Sequence, residues 1–287
     1  DDAPRGVSGP PVRPAKLLLV ERRTFLALLA VGGAQLVTAC AAPGEGEPRA
    51  ATSPSGSPQP GTPQPSAGPA RPLDGPLPGR KTPLPDHPIT ALPGKGRALA
   101  LTVDDGASSA VVGAYAKWAA DSGARFTFFV TGQFDSWRDN RAVLRPLVES
   151  GQVQLGNHSW THADLTSLTA AGVADELRRT KRFLRNEYGV DGTPYYRPPF
   201  GYRNALVDKV AADLGYTMPT LWDGSLSDSG LVTQKFLIGA ARKYFRPQRL
   251  VIGHANHEPV THVYGRFTEI ITHRRLQMVT LDDYFRS

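Results

Sequence analysis

The chain has one cysteine among its 287 residues, Cys40, so it can form no internal disulfide. It also lacks an apolar run of the roughly 20 residues that a membrane-spanning helix takes. The longest candidate, Phe25 to Val37, falls short of that length. No basic stripe interleaved with aromatics is present, and the arginines and lysines are scattered. That pattern excludes the electrostatic footprint of a nucleic-acid binder. The formal charge of +7 is modest and is compatible with an anionic neighbour such as a wall or membrane surface.

What is present is unevenly spread. About half of the 26 prolines fall between Pro43 and Pro85. From Ala41 to Asp86 the chain is mostly Pro, Gly, Ser, Thr and Ala, with almost no aromatics or β-branched runs. Such a segment buries too little surface to offset its ordering entropy, so residues 41–86 are expected to be a disordered, semi-extended spacer. Upstream, "ERRTFLALLAVGGAQLVTAC" sets paired arginines, Arg22 and Arg23, before a short apolar run and a small-residue site at Cys40. That order is the layout of an export signal. "RRTFL" resembles a twin-arginine signal and "VTAC" a bacterial lipobox, which implies lipidation of Cys40. Residues 1–40 are therefore expected to be an export and lipoprotein signal with some upstream residues, and the true start is expected nearer Val20. Lipid anchor, spacer and globular domain would place the domain on the outer face of the plasma membrane, facing the cell wall.

From residue 87 to 287 short apolar runs alternate with amphipathic stretches. The spacing predicts strands at 98–104, 124–130, 153–157, 195–199, 216–222, 250–254 and 277–281. It predicts helices at about 107–120, 138–150, 168–188, 203–214, 233–244 and 265–275. Strands alternating with helices imply a parallel sheet covered by helices, and seven strands fit a distorted (β/α) barrel. Chemistry in such barrels collects at the C-terminal strand ends. The chemically notable residues sit there: Asp104 and Asp105, His158, Arg197, Asp223 and Asp228, and His254.

Two adjacent carboxylates, Asp104 and Asp105, repel in a partly desolvated place, and a cation is the usual remedy. "HSWTH" supplies His158 and His162 at i, i+4, a spacing that on a helical turn puts both imidazoles on one face. Two histidines and one carboxylate make a three-ligand catalytic metal site.

Four motifs, "TVDDG", "HSWTH", "RPPFG" and "VIGH", stand in the order and spacing of the polysaccharide deacetylases. That is carbohydrate esterase family four, with the nodulation-deacetylase homology domain, and the resemblance covers about 95–285. It implies that Asp105, His158 and His162 hold a divalent metal, zinc in the first instance, with cobalt, manganese or nickel as alternatives. It implies Asp104 as general base, Arg197 as the residue orienting it, and His254 as general acid with Asp228 as its partner. It also implies that the Phe200 backbone N–H helps to hold the oxyanion. Trp160, Phe200, Tyr202 and Trp222 could form a sugar platform or belong to the core. His257 and His262 are read as loop or helix-start residues.

The sequence departs from the family pattern at Val103, at Ile252-Gly253-His254 and, most markedly, at Ser229, which stands where a tryptophan commonly walls the acetyl pocket. The expected activity is removal of N-acetyl groups from an N-acetylhexosamine polysaccharide, peptidoglycan first. Acetylxylan or chitooligosaccharides are alternatives, as is a wall-anchored carbohydrate-binding protein with lost turnover. The domain is expected to act as a monomer, without nucleic acid.

Overall fold

Ala98–Asp105 reads ALALTVDD and is buried along its whole length, so both faces of this strand are covered. That is the signature of a central parallel strand, and the rest of the domain is arranged around it. The computed structural model describes Leu73 and residues 81–286. The signal and lipidation site expected within 1–40, Cys40 included, and most of the expected spacer lie outside the described residues.

The strands are β1 (Thr82–Pro83), β2 (Ala98–Asp105), β3 (Phe126–Val130), β4 (Val153–Asn157), β5 (Tyr195–Tyr196), β6 (Met218–Pro219), β7 (Gly224–Ser225), β8 (Arg249–His254), β9 (Gln277–Met278) and β10 (Phe285–Arg286). The helices are α1 (Ser109–Ser122), α2 (Ser136–Asp139), α3 (Arg141–Glu149), α4 (Ala170–Tyr188), α5 (Ala205–Asp213), α6 (Gln234–Tyr244), α7 (Tyr264–His273) and α8 (Leu281–Tyr284). The main sheet is parallel and runs β6-β5-β4-β3-β2-β8-β7, with β9 added to the start of β2. Its two end strands, β6 and β7, do not pair with each other among the described residues, so the barrel is open and distorted.

Local signals set the element ends. Ser108, Thr169, Asn204 and Thr233 each cap a helix through a side-chain oxygen that accepts a backbone N–H, satisfying donors that a first turn leaves free. Gly123 and Gly189 end α1 and α4 in the left-handed conformation. The sheet packs on its helices through one large cluster that includes Leu101, Val103, Tyr115, Trp118, Phe126 and Phe128.

Several boundaries differ from the sequence reading. The folded unit begins upstream of residue 87: β1 pairs with β10, and Leu73 is buried with its N–H donated to the Ser122 carbonyl. The strand expected at 195–199 ends at Tyr196, because Pro198 and Pro199 have no N–H for a ladder. The strand expected at 216–222 is reduced to Met218–Pro219, and a separate short strand follows at Gly224–Ser225. The helix expected at 138–150 is two pieces that meet at Asn140, whose amide donates to the carbonyls of Ser109 and Ser136.

Candidate active site

Adjacent residues of a strand point to opposite faces, so Asp104 and Asp105 should diverge. They do not, because Asp105 ends β2 with φ +72. Asp is among the few residues that tolerate this left-handed conformation. The turn swings the second carboxylate back beside the first: Asp104 Oδ2 lies 3.6 Å and Asp105 Oδ1 3.3 Å from Nε2 of His158. Gly106 follows with φ +89, and the Trp137 ring packs so closely on it that a β-carbon there would lie 2.3 Å from the ring.

His158 and His162 are not on a helical turn, as the sequence reading expected. They flank a loop in which Ser159 and His162 both take positive φ. The loop keeps this shape because α4 carries a buried Glu176, whose carboxylate accepts the N–H groups of Trp160 and Thr161 and the Thr161 hydroxyl. Thr180 adds a hydrogen bond to the Ser159 carbonyl. His158 Nδ1 donates to the Arg197 carbonyl at 2.7 Å, leaving the Nε2 lone pair toward Asp105. His162 Nε2 also lies 3.3 Å from Asp105 Oδ1.

Asp105 Oδ1 is buried and accepts no hydrogen bond among the described residues. It faces two imidazole nitrogens, and one donor atom from each of the three residues lies within 4.8 Å of the others. One carboxylate oxygen and two imidazole nitrogens around an orphaned buried oxygen fit a divalent transition ion, and the donor set does not select one. Burial works against charge on Asp105, yet His158, Asn256 and His162 together hold its carboxyl well below the usual range. Burial also disfavours charge on His158, but Asp104 and Asp105 outweigh it and raise its pKa. At His162, burial and the neighbouring His158 push the pKa down.

Asp104 is 2% exposed and does not face the two histidines alone. Arg197 Nη1 donates to its Oδ1 at 2.5 Å. The same guanidinium donates from Nε to the Thr220 carbonyl at 2.9 Å and from Nη2 to the Leu221 carbonyl at 3.0 Å. It lies over the rings of Phe129 and Trp222. Every edge of the fork is thus used, which suits arginine and not lysine.

His254 stands beside Asp104 in register on β8. Its Nδ1 lies 3.0 Å from Asp228 Oδ1. Burial opposes protonation of this imidazole, but Asp228, Asp104 and Asp105 prevail and raise its pKa. Phe200 has φ +60 on the 3-10 turn Pro199–Gly201, and its N–H meets no acceptor among the described residues, as expected of a first-turn donor.

Asp104, Asp105, His158, His162, His254 and Asn256 line a cavity of about 650 Å³, together with Phe200, Trp222, Ser225, Ser227 and Ser229. Tyr202 is outside the cavity lining; it is half exposed, with its ring 5.7 Å from that of Phe200. Trp160 also stands apart, against Phe183 and beneath Arg179. His257 and His262 take no part in the ligand cluster. Asp223 is structural: it accepts from the Leu250 N–H and from Arg249 on β8.

Residues 91–219 match the family model for polysaccharide deacetylase. This chain contains a polysaccharide deacetylase domain. Over 118 residues the deacetylase domain is 36% identical to a chitin deacetylase of Pestalotiopsis sp, covering 41% of this chain and 39% of the relative. Over 150 residues it is 32% identical to the peptidoglycan-N-acetylglucosamine deacetylase PgdA of Listeria monocytogenes serotype 1/2a, covering 50% of this chain and 30% of the relative. The chain thus spans well under half the length of these curated relatives. Among solved structures, the T48 deacetylase with substrate superimposes with a TM-score of 0.58 at 25% identity, covering 66% of this chain and 90% of that one. A carbohydrate esterase family-four pseudoenzyme from Bacillus anthracis has the same fold, with a TM-score of 0.59 at 19% identity over 71% of this chain and 72% of that one.

Two functional residues escaped the sequence reading. Asn256 donates to Asp105 Oδ2 at 2.7 Å and accepts the Ala107 N–H. It lies two residues past His254, where the histidines of "HANHEPVTH" drew attention instead. Glu176 is the other; a buried acid on the inner side of α4 was its only signal.

Proposed function

We propose that this chain is a metal-dependent hydrolase that removes N-acetyl groups from an N-acetylhexosamine polysaccharide, peptidoglycan first. The observation that carries this reading is the arrangement around Asp105 Oδ1, 3.3 Å from each of two imidazole Nε2 atoms, flanked by an Arg197-clamped Asp104 and an Asp228-paired His254.

Asp105, His158 and His162 would hold the ion, which when bound supplies Lewis acidity toward the acetyl carbonyl and the attacking water. Asp104 takes one proton from that water as its oxygen bonds to the acetyl carbon. The oxyanion that develops can be met by the unpaired N–H of Phe200. His254 gives its proton to the amide nitrogen as the carbon–nitrogen bond breaks, releasing acetate and a free amine. Arg197 fixes Asp104, and Asp228 fixes the His254 ring with its other nitrogen free for the substrate.

Peptidoglycan is favoured by the expected tether at Cys40, which would hold the domain at the outer face of the plasma membrane and within reach of the wall. The test is acetate release by the purified, zinc-loaded chain from peptidoglycan, chitooligosaccharides and acetylxylan side by side. Release that disappears with His158→Ala supports a hydrolase, and the ranking names the polymer. Metal uptake without release from any polymer would refute the reading and favour a carbohydrate-binding protein.

A further inference from the structure

Behind the His254–Asp228 pair lies a buried polar cluster that the mechanism does not use. Asp228 is 4% exposed, and only its Oδ1 is engaged by His254. Its Oδ2 is buried without a hydrogen-bonding partner among the described residues, and so are the hydroxyls of Tyr115 on α1 and Tyr264 on α7. Tyr115 is fully buried and Tyr264 nearly so, and their rings pack 4.9 Å apart. A β-carbon on Gly253, the residue before His254, would lie 3.5 Å from the Tyr115 hydroxyl and 3.6 Å from Asp228 Oδ2. Both atoms therefore converge on one small face of β8, and that position has no side chain to separate them.

None of the three oxygens meets another in hydrogen-bonding geometry, and buried polar oxygens grouped in this way are served by a shared water. Burial, and then the neighbouring Asp228 charge, holds the Tyr115 phenol well above its ordinary value, against an opposing pull from the Tyr264 hydroxyl; burial, Tyr115 and Asp228 raise Tyr264 likewise. Both therefore keep their protons at any working pH. A carboxylate oxygen only accepts, so the phenols are donors toward it.

Resting on the deacetylase reading above, we infer that Tyr115 and Tyr264 are positioning residues for the general acid: through a shared water their hydroxyls hold Asp228 Oδ2 from behind, and through Asp228 they fix the imidazole that delivers a proton to the leaving amine. The groups facing His254 are Asp228, Asp104, Asp105 and His162. Tyr115 and Tyr264 reach it only through Asp228.

Tyr115→Phe and Tyr264→Phe remove one oxygen each and keep the packed ring. In the zinc-loaded chain each should lower kcat for chitooligosaccharide N-deacetylation about tenfold, the scale of a lost hydrogen bond to a charged group, with KM unchanged. Hydrolysis of 4-nitrophenyl acetate should stay within about twofold, because its leaving group departs without a proton. In the metal-free chain the Nδ1–H proton resonance of His254 should shift in both variants, and in Asp228→Asn it should be lost. Equal falls in amide and ester hydrolysis would show general loosening and overturn the inference. So would an unmoved His254 resonance. If the parent chain releases no acetate, the deacetylase reading fails, while the resonance still decides whether the tyrosines act on His254.

Discussion

Arg197→Lys keeps a positive charge beside Asp104 and removes the fork. If Arg197 were a plain ion-pair partner, this substitution would be mild. The geometry says otherwise. The guanidinium is 1% exposed and makes three hydrogen bonds in three directions, to Asp104 Oδ1, the Thr220 carbonyl and the Leu221 carbonyl. An ammonium on a flexible stem that still reaches Asp104 leaves the other two acceptors behind. The buried Thr220 carbonyl left without a donor costs about 1–3 kcal/mol and the part-buried Leu221 carbonyl less, so the variant should lose about 1–4 kcal/mol of unfolding free energy. Contact over the Phe129 ring at 4.2 Å adds to the loss. A domain of this kind has about 5–15 kcal/mol in total, so urea unfolding of the metal-free chain can resolve the difference as a lower midpoint at unchanged slope. Arg197→Met, which strands Asp104 as an unpaired buried charge, should be at least as damaging, by about 3–5 kcal/mol. A loss below about 1 kcal/mol in Arg197→Lys, against the unpaired-carbonyl cost above, would refute the reasoning.

Asp104→Asn should retain metal uptake and lose turnover, whereas His158→Ala should lose both; zinc titration beside acetate release separates the two. Asn256→Ala removes the hydrogen bond that orients Asp105 and should weaken zinc binding by about 10-fold or more, read by competition with a chromogenic chelator. Chelation of the purified chain should abolish acetate release, and added zinc or cobalt should restore it. Asp191 tests the electrostatics away from the site. Burial opposes its charge, but hydrogen bonds from Thr193 and Arg185 and the nearby Lys181 hold its pKa down at about 2. Because the folded-state value is depressed, the stabilisation is present above the ordinary carboxylate pKa and lost as pH falls toward 2. Asp191→Asn should therefore be destabilising at pH 7, and the gap should close in acid melts.

The strands that carry the site were legible wherever the chain is buried on both faces: β2, β3 and β8 each hold a mainly apolar run, and β4 is buried throughout although Gln154 and Asn157 interrupt its apolar residues. Legibility failed where carbonyls leave the ladder. Between β6 and β7 the Thr220 and Leu221 carbonyls turn to Arg197, and Pro219 withholds an N–H, so a seven-residue apolar stretch makes a two-residue strand. The ligands were readable as residue types, since two imidazoles and a carboxylate announce their own chemistry. Their backbone was not: the i, i+4 spacing suggested a helical turn, while the observed loop is set by Glu176 from a helix about fifteen residues on. The roles of Asn256, Glu176, Tyr115 and Tyr264 depend on contacts across the sheet, and sequence spacing carries no trace of those.

Of the seven non-glycine residues in the left-handed region among the described residues, Asp105, His162, Phe200 and Ser227 line one cavity, and Ser159 sits in the loop between its lining residues His158 and His162. At about 1–2 kcal/mol each, such conformations persist only where the surroundings over-determine them. The rim is thus a loaded spring held shut by the apolar strands beneath it. When that grip slackens through heat or a core substitution, the rim should open before the barrel does, and amide exchange should show the ligand loop escaping first. Loss of metal would then be an early symptom of unfolding, with the domain losing its chemistry while it still has its shape.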